Sequence, residues 1–265
     1  MDKDRVLSII GDVRNGNVSG PDFLELRAHI DGMDPHLNTK WGRRLKKILS
    51  RIGNVHSNDL LERLTPDCPQ DLNLLRLASF AGIDIKEVGE VLYFNQAVTA
   101  VLGDHFDHVY DLCSGNGLNG AYWLINDMAG RVHYFDLKKN HHFEKLRNGL
   151  PSNYEHHGVN ILEEDIEIEK GGLVASIHAC GVLTDKVMNI AMAQRNPFAV
   201  VPCCNDYDNN VHFSPEVIKY FEDKDGAIDA ARIRKAQEQG YNVVLRAVPK
   251  DITTQNKVII GIPSD

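Results

Sequence analysis

Asp111-Leu112-Cys113-Ser114-Gly115-Asn116-Gly117-Leu118-Asn119-Gly120 decides how the second half of this chain is read. The stretch follows a strand-like run, His108 to Leu112, and leads into a helical pattern, so it is a glycine-rich turn between a strand and a helix. Gly115, Gly117 and Gly120 stand at G-x-G-x-x-G spacing, and Asp136 follows sixteen residues after Gly120. Each part has a physical use. Glycine lets the backbone approach a ligand, a helix N-terminus offers unpaired N–H groups, and an acidic residue ending the second strand takes ribose hydroxyls.

Outward from that turn, strands and helices alternate, which is the signature of a mostly parallel sheet covered on both faces. The strand-like runs are 108–112, 131–136, 154–161, 173–178 and 198–203, and helices are expected to about 128 and from His141, Thr184, Ser214 and Ala227. The end differs in kind. Tyr241 to Val248 and Lys257 to Ile262 are joined by too few residues for a crossover helix, so they pair antiparallel or leave the sheet. Strands with helical crossovers, finished by one antiparallel hairpin, form the Rossmann-like α/β layout associated with class I methyltransferases; a plain dinucleotide-binding sheet stays parallel.

Residues 1 to 84 carry helical patterns throughout, and this helical N-terminal region is set apart from a catalytic domain over 85–265. A helix from about 86 to 102, stopped by Gly103, leads into the first strand. At 265 residues, with 43% hydrophobic and 25% charged side chains, disorder is excluded as the default state. No apolar window of bilayer length is visible, so no membrane partner and a cytoplasmic location are expected. Five cysteines, scattered without an export signal, read as reduced thiols. A net charge of -8 argues against blanket capture of nucleic acid and leaves room for a local basic patch.

The glycines alone do not choose between a dinucleotide and S-adenosylmethionine. Asp111 favours S-adenosylmethionine: a carboxylate at the mouth of the first strand repels a pyrophosphate and complements the ammonium end of the methionine moiety; its structural alternative is a loop-capping aspartate. The cofactor is therefore expected on Asp111, Cys113, Gly115, Asn116, Gly117 and Asp136, with His178 beside it. Asn160 is placed at the adenine edge and Ile161 offers its backbone N–H.

Three short motifs stand in fixed order: Asp111 to Gly117, then His178-Ala179-Cys180-Gly181 with Thr184-Asp185, then Pro202-Cys203-Cys204-Asn205. Together with Ile252 to Lys257 they resemble the methyltransferase-like family that includes the tRNA 2'-O-methyltransferase acting near the 5' end of the acceptor stem. The resemblance covers roughly 107–265 and implies methyl transfer from S-adenosylmethionine. The first glycine of the common turn is Cys113 here.

His178, Cys180, Cys203 and Asn205 are the candidate catalytic residues, because the fourth and fifth strands of this fold end side by side. Three readings stay open. His178 is a general base with Thr184, Asp185 and Asn205 shaping its surroundings; thiolates and an imidazole hold zinc; or small cysteines fill tight strand ends. The site is expected to hold no metal. Arg43, Arg44, Lys46, Lys47 and Arg51, behind Lys40 and Trp41, form a basic helix face that suits RNA phosphates or plain solvation.

Overall fold

The central strands explain the architecture. Phe198–Val201 is buried at every position and Leu173–Ile177 at four of five, as expected for strands covered on both faces. In the computed structural model, which describes residues 69–264 except Lys139 and Asp251, these strands lie at the middle of a seven-stranded sheet. The basic set at Arg43, Arg44, Lys46, Lys47 and Arg51 lies outside the described residues, as do most of the N-terminal helices read from the sequence.

The chain divides into two units, Met1–Val88 and Gly89–Asp265. Of the first, Pro69–Ala81 is helix α1, with Leu74, Leu77, Ala78 and Ala81 buried at helical spacing. Helix α2, Ile85–Leu102, continues into the second unit, where Val91, Leu92, Phe94, Asn95 and Val98 are buried. No described helix is long and apolar enough to cross a membrane.

The strands are β1 Phe106–Leu112, β2 Ala129–Asp136, β3 Tyr154–Gly158, β4 Leu173–Ile177, β5 Phe198–Val201, β6 Tyr241–Ala247 and β7 Lys257–Pro263, in the order β3-β2-β1-β4-β5-β7-β6. All pair in parallel except β7, which is antiparallel to both β5 and β6. The closing hairpin thus folds back so that its second strand inserts beside β5. This is the Rossmann-like α/β sheet with an antiparallel closing hairpin expected from the sequence, and it differs from the all-parallel dinucleotide order by that insertion.

The described helices of the second unit are α3 Leu118–Ile125, α4 His141–Leu146, α5 Val182–Ala193, α6 Pro215–Ile218 and α7 Lys224–Glu238. The expectation of helical crossovers fails once. Residues 159–172, between β3 and β4, contain no helix. Ile161, Ile166 and Ile168 are buried there and join the core cluster with Tyr110, Leu112, Phe135 and Met188, so three apolar anchors from a loop cover the sheet. On the same sheet face, imidazoles and aromatic rings stack in a row, Tyr110 on His133 at 4.7 Å and His157 on Phe135 at 4.3 Å.

Candidate active site

The sheet changes direction at β1. The chain runs outward from β1 to β2 and β3, then returns to β4 on the other side, which makes the carboxyl ends of β1 and β4 the switch point where open α/β sheets bind ligands. Both strands leave that edge through a residue in the left-handed region, Cys113 at φ 58° after β1 and His178 at φ 65° after β4. Non-glycine residues adopt this conformation at a cost of about 1–2 kcal/mol, which surrounding structure must offset, and such strain collects at functional sites.

The turn after β1 is held by two carboxylates. Asp111, at 1% exposure, accepts hydrogen bonds from Asn119 Nδ2 at 2.9 Å and from the Gly120 amide at 3.0 Å. Burial pushes its carboxyl up to about 7, against the opposing pull of those two donors. At 1% exposure, Asp111 anchors the first turn of α3 to the strand, the loop-capping role that the sequence offers beside an ammonium contact. Asp136, half-buried at the end of β2, accepts from the Gly115 amide at 2.9 Å and from the Lys138 amide at 3.2 Å. An ionised carboxylate has about four acceptor sites, so Asp136 keeps capacity for ribose hydroxyls.

The glycines have distinct tasks. A methyl group added at Gly115, φ +53°, would meet nothing within 4 Å, so this residue borders open space. One added at Gly117, φ +77°, would lie 2.5 Å from the Phe143 ring, and one at Gly120 would run into Tyr134 and Val132. Gly117 and Gly120 therefore serve the packing of α3, and Gly115 is the one that leaves room for a ligand. Asn116 turns its side chain to the Leu118 amide at 3.0 Å, and Cys113, whose thiol burial pushes up to about 12, stays a neutral thiol. The Ser114 hydroxyl beside them is buried and has no hydrogen-bond partner.

Asn160 and Ile161 do not face outward as a pair. Asn160 donates to Glu163 Oε1 at 2.8 Å and accepts from the Leu162 amide at 3.2 Å, closing its own turn, while Ile161 is a core residue at 3% exposure.

At the end of β4, His178 Nε2 lies 3.1 Å from the Glu90 carboxylate, which is 5% exposed on α2, and Nδ1 is buried without a partner. With the Nε2 proton on Glu90, Nδ1 is the basic nitrogen; that tautomer follows from the hydrogen bond rather than from seeing the hydrogen. Glu90 escaped the sequence reading, although an acidic residue inside the apolar run from Val88 to Phe94 was a legible signal.

The ends of β4 and β5 are stitched together: His178 N donates to Val201 O at 3.1 Å, and Gly181 N to Cys204 O at 3.0 Å. Cys180 and Cys203 thereby come to an Sγ–Sγ separation of 2.7 Å, with Cys204 close by. Asn205 does not join them. Its amide accepts from Arg232 Nη1 at 2.8 Å and donates to Asp225 Oδ1 at 3.0 Å, so both ends are engaged. Expected as catalytic, Asn205 belongs instead to a buried network centred on Arg232, which is 2% exposed and places all five guanidinium N–H groups on Asp185, Asp229, Asn205 and the Gly181 carbonyl. His212 Nε2 completes it, 2.7 Å from Asp185. Burial would raise the Asp185 carboxyl, but hydrogen bonds from His212 and Arg232 outweigh it and hold the group below its ordinary value. Arg232 and His212 carried no sequence signal, since their partners lie 47 and 27 positions away.

No protein-family model matches the chain. Among curated proteins it is similar to a glutathione S-transferase C-terminal domain-containing protein of Xenopus laevis, 25% identical over 194 residues that cover 59% of this chain and 31% of that protein. It is also similar to the Bos taurus protein of the same description, 26% identical over 121 residues, 33% of this chain and 19% of that protein. The chain spans less than a third of the length of these relatives. Among solved structures it is similar to an rRNA methylase from Streptococcus thermophilus, with a TM-score of 0.42 at 15% identity, covering 64% of this chain and 93% of that one. The methyltransferase domain of bacterial CtHen1-CN gives a TM-score of 0.46 at 12% identity, covering 67% and 99%.

Proposed function

We propose that this chain is an S-adenosylmethionine-dependent methyltransferase that acts on RNA. One observation carries the cofactor reading: β7 inserts antiparallel between β5 and β6 in a sheet whose first strand ends in a glycine turn facing a β2 carboxylate. The residues present fit the cofactor. Gly115 leaves space, Asp136 has acceptor capacity for a ribose, and the orphaned Ser114 hydroxyl lies at the same turn. S-adenosylmethionine supplies an electrophilic methyl group on sulfonium. The protein's part is to orient the nucleophile and exclude water, and orientation alone is worth about 7–11 kcal/mol in favourable cases.

His178 is the base in this reading. Glu90 fixes its ring, and an unpartnered buried ring nitrogen costs about 1–3 kcal/mol until a donor completes it. A substrate O–H or N–H approaching Nδ1 completes it and hands over its proton. Cys180 and Cys203 line the same strand ends. The RNA substrate rests on the family resemblance of the three motifs and on the basic set Arg43, Arg44, Lys46, Lys47 and Arg51. A cytoplasmic location is proposed with it.

Two measurements test the reading. Calorimetric titration should show binding of S-adenosylhomocysteine and none of NADH; the opposite pair would remove the cofactor assignment. Labelled methyl groups should then appear in RNA extracted from cells lacking the protein. Label confined to the protein or small-molecule fractions would keep the cofactor and overturn the RNA substrate.

A further inference from the structure

Cys180, Cys203 and Cys204 present three thiol sulfurs all within 4.8 Å of one another. The closest pair, at 2.7 Å, lies well inside ordinary sulfur–sulfur contact. The backbone is arranged to hold them there. The loop after β4 contains His178 at φ 65° and Gly181 at φ 58°, and two backbone hydrogen bonds, His178 N to Val201 O and Gly181 N to Cys204 O, fasten it to the end of β5. Behind the loop, buried Arg232 donates to the Gly181 carbonyl at 3.0 Å and to Asn205 at 2.8 Å, bracing Gly181 and the residue that follows Cys204. Filling space at two strand ends needs none of this convergence, because any small apolar side chain would do. Cys203 is buried while Cys180 and Cys204 are exposed, so the cluster has a protein side and an open side.

We infer that Cys180, Cys203 and Cys204 form a binding site for one thiophilic metal ion, of the Zn2+ or Cd2+ kind, with a fourth coordination position left open. In a four-coordinate zinc site with Zn–S bonds of about 2.3 Å, ligand sulfurs stand roughly 3.8 Å apart, inside the 4.8 Å span of this cluster. The Cys180–Cys203 pair opens by about 1 Å to reach that geometry. His178 is not part of the set: its imidazole does not join the three sulfurs within that span. Three protein ligands and a vacant fourth position are the arrangement of metal sites that take a water or substrate atom, whereas purely structural zinc sites are closed by four. Binding replaces three thiol protons with one cation, so each ion taken up releases protons to solvent. The inference does not depend on the methyltransferase reading.

The test uses the whole 265-residue chain, reduced and stripped of metal with a chelator, and Cd2+ alone as the probe. Titration should raise a cadmium–thiolate charge-transfer band in the near ultraviolet that saturates at one equivalent. Single changes Cys180→Ser, Cys203→Ser and Cys204→Ser should each lower its amplitude by about a third, and the triple variant should abolish it. Because a serine at buried Cys203 disturbs packing, a second readout uses the unaltered protein: one equivalent of Zn2+ should protect Cys180 and Cys204 from alkylation, read by peptide mass spectrometry. No band, a band that survives in the triple variant, or equal alkylation with and without Zn2+ would each overturn the site. So would recovery of a Cys180–Cys203 disulfide from protein kept under reductant. Binding of S-adenosylhomocysteine, measured on the same preparation, reports separately on the cofactor reading.

Discussion

The loops that follow β1 and β4 leave the sheet side by side, and each begins with a non-glycine residue at positive φ, Cys113 in one and His178 in the other. They are stabilised by opposite means. The β1 loop is held largely from within ten residues of itself, by Asp111 on Asn119 and Gly120, and from the adjoining end of β2, by Asp136 on the Gly115 amide and the Phe135 carbonyl on the Ser114 amide. The β4 loop is held from far along the chain, by Glu90 on α2, by the end of β5 and by Arg232 on α7. A locally braced turn suits the proposed cofactor, which must be held in one pose. A loop clamped by three distant elements gathers an imidazole and three thiols that no single segment could bring together.

Removing the distant clamp should have the largest effect. Arg232→Met leaves buried Asp185 with His212 alone and buried Asp229 with Lys257 alone, and breaking a buried pair typically costs about 3–5 kcal/mol, the remaining partners placing this variant toward the lower end. Thermal or denaturant unfolding should show that loss, while S-adenosylhomocysteine affinity, measured where the variant is still folded, stays near that of the parent. A matching collapse of affinity would show that the two loops are not independently braced.

Asp111 allows the comparison to be sharpened by pH. Its folded carboxyl titrates at about 7, above the ordinary 3.8, so between those values the folded state holds a proton that the unfolded chain has lost. Stability from this group is therefore full at acid pH and falls as pH rises toward 7. Asp111→Asn should flatten that decline, which is on the order of 2–4 kcal/mol across the range. Parallel stability curves for parent and variant from pH 4 to 7 would rule out the buried carboxyl as its source.

The smallest effects separate the glycines. Gly117→Ala drives a methyl group into Phe143 at positive φ and should lower stability by about 1–3 kcal/mol. Gly115→Ala meets no protein atom and should cost about 1 kcal/mol of strain, yet reduce cofactor affinity more than Gly117→Ala does. Equal affinity losses would erase the division between packing glycines and the ligand-facing one.

Much of this follows from local chemistry and was legible before any coordinates. The glycine spacing, the acidic residue ending β2 and the short link between the last two strands depend on neighbours a few residues apart, and they fixed the strand–turn–helix unit and the antiparallel end. The His-Ala-Cys-Gly and Pro-Cys-Cys motifs pointed to the same edge of the sheet for the same reason, since both sit at strand ends. Only the tertiary structure decided the rest. That β7 inserts beside β5, that Asp111 faces inward, that Asn160 closes its own turn, and that Asn205 answers to Arg232 rather than to a substrate are outcomes of which side chains meet across the fold. Periodicity and spacing describe a residue's own segment. The partner that fixes the state of a buried charge, as Arg232 does for Asp185 from 47 positions away, is set by packing alone.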